Sequence, residues 1–141
     1  MQPSPSEFYD HLGRNGQRLT RTRRAVIDAL FAARGPASVR ELHAASPGVD
    51  LVTVYRALHW LVELKLVREV VTATGGERYE LVDGAHTHHL HCSGCGRLFT
   101  VPVCGIPASL FDAILREYGF AVDDHRVTFH GRCCQCRGAA A

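Results

Sequence analysis

The chain runs to 141 residues, room for one ordinary domain or two small ones, with 46% hydrophobic residues, 21% charged residues and a formal net charge of +2. This is a soluble globular composition. No apolar run approaches the roughly 20 residues of a membrane span, and the N-terminus lacks the basic-then-apolar order of a signal peptide. The expectation is a cytoplasmic protein without a membrane partner, and in a reducing compartment its six cysteines point to metal or redox chemistry rather than disulfide staples.

The N-terminal half reads as helices. Ser6 is expected to cap a short helix carrying Phe8 and Leu12, broken by Gly13 and Gly16. Thr20 caps a second, with Val26, Ala29, Leu30 and Ala33 at helical spacing and Gly35-Pro36 as its stop. Ser38 and Glu41 form a capping-box pattern that opens a third helix through Leu42, which Pro47-Gly48 ends. Asp50 caps a fourth, whose stripe of Leu51, Val54, Leu58, Leu61 and Val62 leaves Thr53, Arg56 and His59, with Tyr55 beside them, on the other face. Such a helix, reached across a tight turn, is how a recognition helix enters a major groove. Arg14, Arg18, Arg21, Arg23 and Arg24 crowd a stretch with no acidic residue between Asp10 and Asp28. A local basic patch is what phosphate contact requires, although an arginine run also serves as a plain solvated face.

Two β runs follow, 67–71 and 78–81, around a Gly75-Gly76 turn. Three helices and a hairpin are in winged-helix order; a generic small α+β domain is the bland alternative. Asp83-Gly84 marks a hinge, giving expected domains of 1–82 and 83–141. Beyond the hinge, 88–92 and 97–101 read as strands around Ser93-Gly94-Cys95-Gly96, Pro107 sits near the start of a helix closed by Gly119, and 120–122 and 126–130 complete a small sheet. About sixty residues are marginal alone, so a structural metal and dimerisation are the expected remedies.

Cys92-x2-Cys95 and Cys133-x2-Cys136 are the strongest signal in the chain. Two intervening residues let both thiolates of a pair reach one tetrahedral ion, and two pairs make a closed four-sulfur set that favours structural zinc. A redox dithiol is the competing reading, and it lacks a thioredoxin-like context. Cys134 reads as a bystander. His86, His88, His89, His91 and His125 share this half of the chain.

With these features together, the chain resembles the Fur family of metal-dependent repressors from about Gly16 to Cys136, and within it most resembles the zinc uptake branch. Residues 51–58 (LVTVYRAL) resemble the family's recognition helix. Residues 86–96 (HTHHLHCSGCG) resemble its histidine-rich strand and zinc knuckle. His125 followed by Gly131-Arg132-Cys133 and Cys136 resembles its closing motif. The resemblance implies an α+β protein with an N-terminal winged-helix DNA-binding domain and a small C-terminal α/β dimerisation domain bearing the four-cysteine zinc site. It also implies a homodimer on an inverted-repeat operator in double-stranded DNA, metal-uptake genes as targets, and neither enzymatic activity nor a small-molecule substrate. By family position, Tyr55 and Arg56 carry groove and phosphate contacts, Thr53 touches a base and Arg18 lies near the minor groove; Arg23 adds to the basic face.

For the regulatory divalent metal, the resemblance implies two sites. Glu80 and His89 match ligand positions of one between the domains. Thr87 stands where one histidine is usual there, another usual histidine falls near Pro36 and is missing, and Glu69, His88 and His91 are the substitutes on offer. His86, His88 and His125 match a second site. Its usual carboxylate falls near Ala108, which cannot bind metal, and Cys104, a few residues upstream, is the proposed replacement. A thiolate in the set favours zinc over iron(II) or manganese(II). An iron, manganese, nickel or peroxide sensor of the same family, and from other classes a zinc-stabilised protein-binding adaptor or a hydrolytic zinc enzyme, are the rivals; no HExxH helix supports the last.

Overall fold

The structure, a computed structural model, describes residues 4–72, 76–82, 84 and 86–138 and separates into two units, Met1–Ala85 and His86–Ala141. In the first unit, side-chain caps set the helix starts. Helices α1 (Pro5–Arg14), α2 (Arg21–Ala33), α3 (Val39–Ala44) and α4 (Leu51–Glu63) are capped by Ser4, Thr20, Ser38 and Asp50, each accepting from the backbone N–H three residues on. Three of these caps are as expected. The first is Ser4 and not Ser6: Pro5 fits the first helical position, where no N–H is needed, and Glu7 closes a capping box on Ser4. The α2 helix also stops earlier than Gly35-Pro36, because Arg34 itself takes the left-handed conformation at φ 52°.

Strands β1 (Ala37–Ser38), β2 (Val67–Val71) and β3 (Glu77–Leu81) form an antiparallel sheet in the order β1-β3-β2. The two-residue β1 was not foreseen; it pairs Ala37 with Tyr79 and Ser38 with Arg78, tying the start of α3 to the wing. The expected hairpin is present. Its Gly75 lies outside the described residues, as does Asp83 of the expected hinge, while Thr72 and Gly76 close the hairpin with a 3.0 Å backbone bond.

One apolar core joins all four helices to this sheet. Val26 and Ile27 of α2, Val54, Leu58 and Leu61 of α4, and Val67, Tyr79 and Leu81 of the strands are all buried. Leu51, at the start of the expected stripe, is instead 41% exposed. Leu58 is fully enclosed, so Leu58→Ala is expected to destabilise this unit by about 2–5 kcal/mol, read from the denaturant midpoint of its helical circular dichroism.

In the second unit β4 (His88–Cys92) is central in the order β5-β4-β6, antiparallel to β5 (Leu98–Val101) and parallel to β6 (Thr128–Gly131). The parallel pairing requires a crossover, and α5 (Ala108–Tyr118) lies in it, with Pro107 at its N-cap and Gly119 ending it at φ 63°. The short α6 (Cys134–Gly138) was not foreseen. The expected strand at 120–122 does not form: the pairings run β5-β4-β6, and Phe120 stays 63% exposed. Apolar alternation there reports a surface that needs cover, and this chain's own sheet does not supply it.

Candidate metal centres and nucleic-acid interface

The four cysteines of the two Cys-x2-Cys pairs converge. Cys92 ends β4, Cys95 sits in the turn after it, Cys133 follows β6 and Cys136 lies in α6, and their sulfurs are all within 4.8 Å of one another. Pairing of Cys92 with Gly131 across β4 and β6 brings the two motifs together. All six cysteines of the chain are free thiols. Sulfurs at about 2.3 Å from one tetrahedral ion stand about 3.8 Å apart, and Cys95 Sγ lies 3.9 Å from Cys133 Sγ. A Cβ on Gly94 would meet Cys136 Cβ at 2.8 Å and its Sγ at 2.9 Å, so the turn closes this tightly only with glycine there.

The electrostatics suit thiolates. Cys92 is lowered to about 5, chiefly because backbone N–H groups, that of Cys133 first, donate to its sulfur. Cys133 is also lowered, first by the backbone at Cys136 and further by Arg97. Cys136 is pushed up to about 12 by the thiols of Cys133, Cys95 and Cys92 crowded against it. Four sulfurs that cannot all ionise side by side, in a shell that favours ionisation, fit a thiophilic dication.

A second cluster lies at the other end of β4. His86, His88, Cys104 and His125 each offer a ligand atom within 4.8 Å of the others. His86 Nε2 is 3.2 Å from His88 Nε2, and Cys104 Sγ is 3.3 Å from His125 Nε2. Around one tetrahedral ion, two imidazole nitrogens stand about 3.3 Å apart. His88 is 1% exposed, and its Nδ1 has no hydrogen-bond partner among the described residues. Burial first, then the neighbouring His86, His125 and His89, lowers the pKa of His88 and holds it neutral, the form that binds a metal. The structure thus brings Cys104 to the three histidines, across twenty-one residues of chain from His125.

The other metal candidates are placed differently. Glu80 and His89 belong to separate units. Glu80 is buried on β3 and accepts from Arg68 at 2.5 Å. His89 is buried on β4, and Glu69 is exposed on β2. His91 pairs across the sheet with His130, Nδ1 to Nδ1 at 3.3 Å, and joins neither cluster. Nothing in the linear pattern singles out His130, and only the β4–β6 register could have pointed to it.

On the first unit, α4 turns Tyr55, Arg56 and His59 outward around a shallow cleft of about 440 Å³ shared with Arg23, Trp60 and Glu63. Thr53 is half-buried and donates its hydroxyl to Asp50 at 2.6 Å. Arg18 is exposed, and its carbonyl accepts from Arg23 at 2.7 Å. Arg23 is held in place: its guanidinium lies 3.8 Å over the Trp60 ring, while Trp60 donates to Gln17. Arg24 likewise covers Tyr9 at 4.3 Å. Two of the five clustered arginines are therefore partly spent on internal stacking, a role that linear sequence could not reveal.

Residues 14–130 match the model of the ferric uptake regulator family. The ferric uptake regulation protein of Bacillus subtilis is 40% identical over 96 residues, a match covering 66% of this chain and 64% of that protein, short of two thirds of its length. Among solved structures, the Helicobacter pylori ferric uptake regulator superposes with a TM-score of 0.76 at 18% identity, covering 96% of this chain and 93% of that one. A zinc uptake regulator in complex with zinc and DNA superposes with a TM-score of 0.68 at 24% identity, again covering 96% and 93%. These two share the fold. The span of the family match and the site geometry agree: the chain belongs to the ferric uptake regulator family and is a metal-responsive regulator with a four-cysteine cluster suited to zinc.

Proposed function

We propose that this protein is a cytoplasmic transcriptional repressor of metal-uptake genes that binds an inverted-repeat operator as a homodimer when its regulatory metal is bound. The four cysteines hold one structural zinc per subunit, and zinc is the regulatory ion. The observation that carries the metal-sensing part is the meeting of His86, His88, Cys104 and His125. A carboxylate-free set of three imidazoles and one thiolate favours zinc over the harder iron(II) and manganese(II). Its members come from β4 and the residues just before it, the segment after β5 and the segment before β6. Sharing one ion ties these segments together, and any preference of the DNA-competent arrangement for the tied state shifts the population toward it.

Support for the homodimer comes from the second unit, where Leu110, Leu115, Tyr118 and Phe120 are 47–78% exposed and α5 buries none of its residues. An apolar surface of that kind calls for a partner, and a second copy supplies the same surface under two-fold symmetry. Support for DNA binding comes from the outward Tyr55 and Arg56 and the exposed Arg18. Among the described residues no helix is long and apolar enough to cross a membrane.

The test is fluorescence anisotropy with the inverted repeat upstream of its own coding sequence, using protein that retains only the metal held by the four cysteines. Free zinc, iron(II), manganese(II) and nickel(II) are buffered in steps at one salt concentration. Zinc restoring tight binding at the lowest free concentration upholds the reading. Another ion winning refutes the choice of zinc, and no response to any ion refutes the regulatory site. In the same assay Arg56→Ala is expected to weaken binding across sequences and reduce the slope of log affinity against log salt by about one, as for a lost phosphate contact, with metal content unchanged.

A further inference from the structure

Arg97 follows the first Cys-x2-Cys turn and has no part in the metal or DNA contacts assigned so far. Its Nε donates to Cys95 Sγ at 3.4 Å, and one terminal nitrogen reaches Cys133 Sγ at 3.6 Å. That nitrogen also donates to Gln135 Oε1 at 2.6 Å. Cys133 and Gln135 both belong to the second motif, so the guanidinium spans the two knuckles. Its flat fork suits this: each sulfur faces a different N–H, and the amide of Gln135 fixes the plane. Phe99 lies beneath it, 5.3 Å from the guanidinium carbon to the ring centre.

We propose that Arg97 is a positioning residue of the four-cysteine centre, a cationic clamp that holds the two knuckles together and shields two of the four thiolates, so that the centre keeps its metal against chelators and electrophiles. Four thiolates around one dication carry a net charge of −2. That excess charge makes each sulfur a better nucleophile and a better proton acceptor, and either reaction detaches it from the metal. A guanidinium hydrogen-bonded to Cys95 and Cys133 draws charge from both sulfurs and lowers the net charge of the group to −1. Outer-shell partners of this kind change metal affinity by about 10–100-fold. Lysine keeps the charge but, as a single ammonium, cannot match the planar fork that meets Cys95, Cys133 and Gln135 together.

The inference rests on the four cysteines holding a metal, so metal content is measured first on the full-length protein. Zinc transfer to a chromophoric chelator is then timed, and alkylation by N-ethylmaleimide is mapped to individual cysteines by mass spectrometry. Arg97→Ala is expected to accelerate zinc transfer about 10-fold or more and to raise alkylation at Cys95 and Cys133 more than at Cys92. Arg97→Lys is expected to fall between Arg97→Ala and the parent. Should Arg97→Ala fail to load zinc, the same comparison is made with Arg97→Lys and Gln135→Ala, each expected to speed transfer. Transfer rates within twofold of the parent in every loaded variant overturn the clamp alone. A parent protein without metal at the four cysteines, read from its content in a Cys104→Ala background, overturns the four-cysteine assignment and the clamp with it.

Discussion

Replacing Cys95 with alanine is expected to strip the metal held by the four cysteines from the protein and unfold residues 86–138 with it, while the first unit stays folded. The asymmetry follows from where each unit keeps its apolar surface. The core made by α1–α4 and the first sheet lies wholly in the first unit. Among the described residues of the second unit, the buried ones are Cys92 and the polar His88, His89 and His91. A unit of that size with so little enclosed apolar surface has almost nothing to set against chain entropy except metal binding and a partner. Zinc held by a closed set of this type contributes about 10–16 kcal/mol of apparent binding free energy in small zinc-binding peptides, and there binding and folding are one equilibrium. Elemental analysis should find about one zinc fewer per chain. Far-UV circular dichroism should keep the helical signal of the first unit, and sedimentation should show monomer. A folded, dimeric, DNA-binding Cys95→Ala protein would remove the structural role of this centre.

The second large effect is expected at the other cluster. His125→Ala and Cys104→Ala should each weaken zinc binding at this cluster by about 100-fold or more, beyond the 10–100-fold that an outer-shell partner commands, while metal binding by the four cysteines is unchanged. The reason is geometric. His125 and Cys104 are 3.3 Å apart at Nε2 and Sγ, already near the spacing that a shared ion imposes. His88 is buried and held neutral, so its lone pair needs no proton removed before binding. Competition titrations against a chelator of known affinity read the loss directly, and the anisotropy assay reads its consequence for DNA. Cys104→Asp should restore affinity for manganese(II) more than for zinc, because it replaces the soft donor with a hard one. Equal zinc affinity in Cys104→Ala would show that the thiol is a bystander.

How much of this was legible depended on the range of the interaction. The caps at Thr20, Ser38 and Asp50 act over three residues, so local pattern suffices. The same pattern, Ser4-x-x-Glu7 around Pro5, was available for α1 and pointed past Ser6. Paired Cys-x2-Cys motifs were legible because tetrahedral coordination restricts the spacing so strongly. Cys104 was legible only against the family's pattern, as a donor near a position where Ala108 cannot serve. Arg97 had a cue, a cation beside a thiolate pair, but nothing local reveals that Gln135 fixes it from the far motif. Arg23 on Trp60 and His91 on His130 are contacts between segments distant in sequence, and they emerge from helix packing and strand register. The apolar run 120–122 carried a true statement about surface and a false one about strand pairing.

The contact between Cys95 and Cys133 closes a ring across a sequence separation of 38, and Cys104 and His125 both lie inside that ring. His86 and His88 precede the ring, so the two ligand sets are interleaved along one polymer. Closing a loop of that length costs on the order of 3 kcal/mol of chain entropy. Once the cysteines have closed it, Cys104 and His125 search for their histidine partners within a tethered volume, at a much higher effective concentration than in an open chain. An order of assembly is expected from this: the four-cysteine ring closes first, and ions then enter and leave the second cluster without refolding the unit each time.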